Sequence, residues 1–306
     1  EYDFAKSEEL FKEAVRLCQK ENLTNSVDYA SLQSNIALLY RDMQLPLKAN
    51  ASYEEAEKIF KKTKDTLNPQ YPVFLMEYGS MLAEAYQFEK ALAYTYKAKN
   101  MDKFLYTENS SAYAGDLNNL GFIYSKMNKI AETEQFYTSA LKIKKALPFV
   151  RLDSYLTTLS NLIVFYCNVG REAEAKELVP QIEEGLKNKN FTDTLKRATF
   201  ANNLGIHFKD WGNMDKSIAY FKEALKYYEA IYGPDNLFMA EVYVDMATSY
   251  FSVEKYEEVA DYLNKAAGVY SKTKFEENAG SIDMICNLAV ILKEVNNAKE
   301  AENYVN

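Results

Sequence analysis

The chain has 306 residues, a formal net charge of -8 at pH 7 and a mean hydropathy of -0.38. An acidic chain with a sequence pI of about 5.1 and no basic patch argues against nucleic acid as the main ligand. No run of about 18 apolar residues is present, which argues against a membrane-spanning segment. Cys18, Cys167 and Cys286 share no metal-ligand spacing, and this sparse set favours reduced thiols in a cytoplasmic protein.

Small residues recur along the chain with a fixed period of 42 residues, as from Gly79 to Gly121. Each is followed three residues later by an aromatic or aliphatic side chain, as Gly121 is by Tyr124. We count positions from this small residue, which is position 0 of its repeat. The position-0 residues in chain order are Ala37, Gly79, Gly121, Ile163, Gly205, Ala247 and Ala289.

A second set of small and apolar residues follows at positions 12, 16 and 19, as in Thr133, Tyr137 and Ala140. Residues three or four apart share one face of a helix, so positions 0 and 3 predict a first helix and the later set predicts a second. Small residues on both helices allow a close approach. Gly121 costs a helix roughly 1 kcal/mol relative to alanine, and we expect close helix packing to offset this cost.

Turns are predicted at two places in each repeat. One lies near position 7, between the two helices, where the chain has residues that favour turns. The other lies before the next repeat, where the sequence YGPDN occupies residues 232–236. The residues near position 7 are Gln44, Asn128, Gly170, Gly212 and Asn296.

This pattern resembles the tetratricopeptide repeat (TPR) family, whose small, Tyr, Ala, Phe and Ala positions it matches in order and spacing. The period is eight residues longer than the usual unit, as in the long-repeat subclass found in kinesin light chains. The resemblance implies an all-α fold, a right-handed superhelical solenoid of antiparallel helix pairs with a concave channel. It predicts a single solenoid over residues 1–306, with a partial repeat at 1–24 and seven further repeats, the last incomplete. Phe4, Ser7, Phe11 and Ala14 fit positions 9, 12, 16 and 19 of the partial repeat.

The fourth full repeat departs from the pattern. Ile163 replaces the small residue at position 0, Ile182 replaces alanine at position 19, and Pro180 lies within the predicted second helix. Proline removes one backbone hydrogen bond and kinks a helix. The repeat is therefore either locally repacked or the site of a bend in the solenoid.

Asparagine dominates position -2, two residues before each position-0 residue. This position lies away from the packed face of the first helix, so we expect it to point into the concave channel. An asparagine amide can both donate and accept, which suits the backbone of an extended peptide. The alternative is that each amide only bonds the neighbouring repeat. The residues of this ladder are Asn35, Glu77, Asn119, Asn161, Asn203, Asp245 and Asn287.

Charged residues are also expected on the channel. Arg41, Lys126 and Lys209 are predicted to be isolated cations at positions 4 and 5. Glu241 and Asp283 add acid near Asp245, so a ligand is expected to be neutral or basic towards the C-terminal end.

The sequence indicates no catalytic site, cofactor or metal. Its one histidine, His207, is expected to be a packed side chain rather than a catalyst, and no Gly-rich phosphate loop or HExxH motif is present. We therefore predict a non-enzymatic scaffold that captures a protein or peptide segment in the channel.

Two alternatives stay open. The chain begins and stops within second helices, so it is expected to be a fragment whose partners include further domains of a longer chain. Arrays that resemble it are joined to caspase-like (CHAT) peptidase domains and to histidine kinases, which would make it a sensor or regulatory arm. A transport adaptor of the kinesin-light-chain type is the other alternative, and it would need an upstream coiled coil.

Overall fold

The computed structural model describes residues 4–43, 45–63, 67–149 and 151–272, and every regular element in these ranges is an α-helix. No helix in these ranges is long and apolar enough to cross a membrane. The helices are α1 (Phe4–Lys20), α2 (Val27–Asp42), α3 (Pro46–Thr63), α4 (Gln70–Glu84), α5 (Phe88–Tyr106), α6 (Ser111–Lys126), α7 (Ile130–Ala146), α8 (Leu152–Asn168), α9 (Glu172–Lys187), α10 (Thr194–Asp210), α11 (Met214–Tyr232), α12 (Leu237–Phe251) and α13 (Tyr256–Lys272).

The helices alternate as predicted. Helix α1 is the second helix of the partial repeat, and each even-numbered helix from α2 to α12 carries a position-0 residue. The repeat centred on Ala289 lies outside the described residues. The chain divides into two compact units, one ending at Gln181 and the other beginning at Ile182, so the division falls within α9.

In the first unit, α2 packs on α3, α4 on α5 and α6 on α7, and the consecutive first helices α2, α4, α6 and α8 also contact one another. Its largest core cluster joins α2 to α5 around Tyr53, Phe74 and Tyr78. In the second unit, α10 packs on α11 and α12 on α13. Its core lies around Phe221, Met246 and Leu263.

The glycines at position 0 are packing glycines, as predicted. A Cβ atom on Gly121 would lie 2.6 Å from Cδ1 of Tyr137, and one on Gly205 would lie 2.5 Å from Cδ1 of Phe221. Tyr137 and Phe221 are position-16 residues, and both rings are buried. The ring of the second helix therefore lies against bare backbone of the first.

Gly121→Ala is expected to lower the free energy of unfolding by about 1–3 kcal/mol, although alanine favours helix. The added methyl group overlaps the Tyr137 ring, which is 2% exposed and has no space to move into. A Cβ atom on Gly268 of α13 would meet no neighbouring atom within 4 Å, so Gly268→Ala should stabilise by about 0.5–1 kcal/mol. Urea unfolding of the two variants measures both effects. Stabilisation by Gly121→Ala would contradict the packing account.

A left-handed residue follows the first helix in every repeat whose position 7 lies among the described residues. The φ angles are 56° at Asn128, 75° at Gly170 and 78° at Gly212, which confirms the turns predicted there. Tyr86 and Glu254 adopt the same conformation, with φ of 58° and 59°, without a side chain that favours it. Gln44 and Asn296 lie outside the described residues.

Glu254→Gly is expected to raise the free energy of unfolding by about 1 kcal/mol, because glycine adopts positive φ without the steric cost that Glu254 bears. Gly212 is the same position in the preceding repeat, and Gly212→Ala should lower the free energy by a similar amount. Thermal unfolding of the pair checks both signs. Equal destabilisation by both variants would show that position 7 is not under this constraint.

The fourth repeat has a large residue at position 0 and a smaller one at position 16, the reverse of the flanking repeats. Its position-0 residue, Ile163, is 2% exposed, and its position-16 residue, Val179, is 5% exposed. The corresponding pairs in the flanking repeats are glycine with an aromatic ring. A larger residue on the first helix is thus matched by a smaller one on the second, which is the local repacking considered above. Helix α9 continues through Pro180.

Candidate peptide-binding face

The asparagines of α6 and α8 bond the preceding first helix. Nδ2 of Asn119 donates to the backbone oxygen of Met76 at 3.1 Å, and Nδ2 of Asn161 donates to Oδ1 of Asn118 at 3.1 Å. Each bond joins residues 43 apart, from position -2 of one repeat to position -3 of the repeat before it. Within the described part of the chain, Oδ1 of Asn119 and Oδ1 of Asn161 accept no hydrogen bond. Both side chains are half-buried.

We call this side of the first helices, at positions -6, -3, -2, 1, 4 and 5, the ladder face. Asn35 is exposed on it and forms no hydrogen bond with another predicted site residue among the described ranges. Asn203 is half-buried on α10. Asn287 lies outside the described residues, as does Asp283.

Glu77 is the acidic member of the ladder in the first unit. Its carboxylate is half-buried, and burial raises its pKa to about 7 although the nearby positive charge of Arg41 opposes the shift. Arg41 donates instead to Oε1 of Glu84 at 2.9 Å. Arg41 is therefore not the isolated cation that the sequence predicted, because position 5 of the next repeat supplies a carboxylate.

The ladder in the second unit is also acidic. Nζ of Lys209 lies 2.5 Å from Oδ1 of Asp245, so Lys209 is not an isolated cation either. Burial, together with the charge of Asp245, raises the pKa of Glu241 to about 7. Within the described ranges, Oδ1 of Asn202 is buried without a donor. Asp245 follows Asn202 by the 43 residues that separate Asn161 from Asn118, so α12 has a carboxylate at the position where α6 and α8 have an amide donor.

Lys126 is the exposed cation of the predicted set. Its Nζ lies 5.6 Å from the centroid of the Phe122 ring on the same helix, and it has no ion pair among the described residues. Phe122 is half-buried at position 1. The pair therefore offers a positive charge and an aromatic surface on the first unit's ladder face.

His207 is packed, as the sequence predicted. It is 5% exposed, its ring stacks on Trp211 at 5.8 Å, and neither ring nitrogen has a hydrogen-bond partner in the described ranges. Burial lowers its pKa to about 4, so the ring is neutral at pH 7.

Sequence reasoning missed a buried pair of carboxyl groups between α5 and α6. Asp116 is 0% and Asp102 6% exposed, and neither oxygen of an ionised Asp116 has a donor among the described residues. A proton on one of the two carboxyl groups lets them hydrogen-bond to each other. Burial and the charge of Asp102 raise the pKa of Asp116 to about 9. The available signal was the position of Asp116 between Ala114 and Leu117 on the apolar face of α6. Across the part of the chain that the structure describes, no group of three or more His, Cys, Asp or Glu side chains could hold a metal ion.

Known proteins share this fold. Residues 117–147 and 196–272 each match the tetratricopeptide repeat family. No curated protein sequence matches the chain significantly. The solved structure of TPR-like repeats from a protein described as a kinesin light chain of Podosopora anserina is 14% identical, covers 68% of this chain and 99% of its own, and gives a TM-score of 0.53.

Two further solved structures belong to binding or signalling proteins. NprR in complex with its cognate peptide NprX is 18% identical, covers 90% of this chain and 75% of its own, and gives a TM-score of 0.57. A Signal Transduction ATPase with Numerous Domains (STAND) from Pyrococcus horikoshii, which has a TPR sensor, is 18% identical with a TM-score of 0.60. That match covers 85% of this chain and 36% of the STAND chain. With its 42-residue helix pairs, packing glycines and family matches over residues 117–147 and 196–272, the chain contains tetratricopeptide repeats and has an all-α TPR solenoid fold.

Proposed function

We propose that the chain is a scaffold that binds an extended segment of a partner protein along the ladder face. The observation that supports this proposal is that the side-chain oxygen atoms of two ladder asparagines accept no hydrogen bond among the described residues. Asn119 and Asn161 each donate one N–H to the preceding repeat, and this bond fixes the orientation of the side-chain amide. The Oδ1 atom of each amide has no donor among the described residues. The N–H groups of a peptide backbone are the donors that fit these oxygens.

The energetics require several such contacts. One hydrogen bond contributes about 0.5–1.5 kcal/mol net, so a peptide needs a few of them together with apolar anchors such as Phe122. The NprR complex supports the proposal because a peptide binds a protein of the same fold. In the second unit, Glu241 and Asp245 favour a segment that is neutral or basic there.

The test compares two variants in binding to a peptide selected from a random library on the wild-type chain. Asn119→Ala, Asn161→Ala and Asn203→Ala combined should weaken binding by at least about tenfold, as expected for the loss of two or more hydrogen bonds. Isothermal titration calorimetry gives Kd, and circular dichroism checks that the helices are retained.

Asn118→Ala is the matched control, because it removes the acceptor of the Asn161 bond but leaves the Asn161 side chain in place. If the ladder only holds the repeats together, Asn161→Ala and Asn118→Ala should weaken binding equally. A larger loss for Asn161→Ala supports direct contact with the peptide. Unchanged affinity in the triple variant would refute the proposal.

A second candidate function is the sensor or regulatory arm of a larger enzyme. The likeness to the STAND protein, which joins a TPR sensor to an ATPase, favours it. Sequencing the gene on both sides of the region that encodes residues 1–306 tests it. An adjoining ATPase, CHAT peptidase or kinase domain would support the regulatory arm, and stop codons close to both ends would exclude it.

A further inference from the structure

An apolar groove runs along the side of α5 opposite to its core-facing residues. The core side is formed by Ala91, Thr95, Ala98 and Asp102, which are all buried. The groove has a volume of about 540 Å³ and is lined by Leu67 from the loop before α4 and by the outer side of α5. The lining residues of α5 include Ala93, Tyr96, Lys97, Asn100 and Phe104.

Two large apolar side chains are exposed in this groove. Phe104 is 76% and Leu67 61% exposed. The solvation of such side chains is costly when they lie together, and adjacent exposed apolar groups are a feature of binding surfaces.

The repeat shows that these two residues are exceptions. The residues 42 and 84 positions after Leu67 are Asn109 and Arg151. In the preceding repeat, the residue that corresponds to Phe104 is Lys62. The residue 42 positions after Phe104 is Ala146, so neighbouring repeats have only polar or small residues at the two positions. Packing of the repeat therefore does not require a large apolar residue at either of them.

The described residues that line the groove carry a single charge, the positive one of Lys97, and Lys99 lies beside them, where its charge also acts on Glu108. Lys97 lines it, with Nζ 2.8 Å from the hydroxyl of Tyr71, and Lys99 lies over the Tyr96 ring at 5.0 Å. Neither lysine forms an ion pair with a carboxylate among the described residues, and none of the described lining residues carries a carboxylate. A cationic rim in a chain of net charge -8 is complementary to an acidic partner.

We propose that this groove docks an amphipathic helix whose apolar stripe is flanked by aspartate or glutamate. The lining from Ala93 to Phe104 spans about 17 Å, which is about three helical turns. An apolar stripe at i, i+4 and i+7 of the partner would cover Phe104 and Leu67, and its flanking carboxylates would reach Lys97 and Lys99. This surface lies on a second helix, so it is separate from the ladder face and does not depend on the function proposed above.

The test uses two synthetic 18-residue helical peptides that share one leucine stripe and differ only in flanking residues, glutamate in one and lysine in the other. Fluorescence anisotropy with the full chain should show the glutamate peptide binding at least tenfold more tightly. Phe104→Lys, which copies the residue of the preceding repeat, should reduce that binding at least tenfold. Lys97→Glu should reverse the preference between the two peptides.

Phe149→Ser is the control for non-specific apolar binding, because Phe149 is 91% exposed and does not line the groove. It should leave the affinity unchanged, and circular dichroism should show that every variant is as helical as the wild-type chain. Equal binding of both peptides, or undiminished binding by a folded Phe104→Lys variant, would overturn the proposal.

Discussion

Replacing Asp116 with asparagine is expected to raise the free energy of unfolding at pH 7 by as much as about 4 kcal/mol. The pKa of this carboxyl is raised from 3.8 to about 9 in the folded chain. Between these values the folded state keeps a proton that the unfolded state releases, so stability falls as pH rises through the interval. Asparagine is always neutral and its amide can donate to Asp102. Asp116→Asn therefore removes this loss of folding stability at neutral pH.

Urea unfolding at pH 5, 7 and 8 measures this effect. The wild-type chain should lose stability from pH 5 to 8 relative to Asp116→Asn. Asp261 is an exposed aspartate on α13, and Asp261→Asn should change stability by no more than about 0.5 kcal/mol. Identical pH dependence in the wild type and Asp116→Asn would mean that the buried pair does not hold a proton.

Acid should destabilise the chain through His207 by about 3 kcal/mol. The pKa of this histidine is lowered from 6.5 to about 4 because the folded ring is buried. The unfolded state therefore binds a proton between pH 6.5 and 4 that the folded state does not. The stabilising contribution is fully present above pH 6.5 and is lost as pH falls towards 4.

His207→Phe should abolish this part of the acid response, because phenylalanine does not titrate and still stacks on Trp211. At pH 7 the variant should be at least as stable as the wild type, since it removes a buried N–H that has no acceptor among the described residues. Thermal unfolding at pH 7, 5.5 and 4 of both proteins measures the difference. If both proteins lost the same stability between pH 7 and pH 4, the acid response could not be assigned to His207.

The repeat made much of the fold predictable. Small residues at fixed positions define which helix faces meet, and Gly121 against Tyr137 is the contact that this pattern requires. The turns at Gly170 and Gly212 follow from residue type, because glycine favours positive φ. Glu254 adopts the same positive φ although glutamate disfavours it, so at this position the packing of the repeat determines the backbone conformation.

The candidate site was less predictable, because it depends on contacts between repeats. Position -2 could be read as a polar ladder, but the 43-residue register that pairs Asn161 with Asn118 needs the packing of α6 against α8. For the same reason the ion pairs of Arg41 with Glu84 and of Lys209 with Asp245 were missed. The 42-residue period shows which residues are equivalent in successive repeats. It does not show which non-equivalent residues of neighbouring repeats are in contact.

Cross-linking mass spectrometry of a captured partner locates the face of the chain on which a peptide binds. The wild-type chain and the triple asparagine variant are compared with a lysine-reactive reagent. We expect cross-links from the partner to Lys126, the exposed lysine of the ladder face in the first unit, and we expect the variant to lose them. A partner retained by both proteins and cross-linked to lysines of the second helices, such as Lys58 or Lys222, would place binding elsewhere and leave the ladder with the role of holding the repeats together.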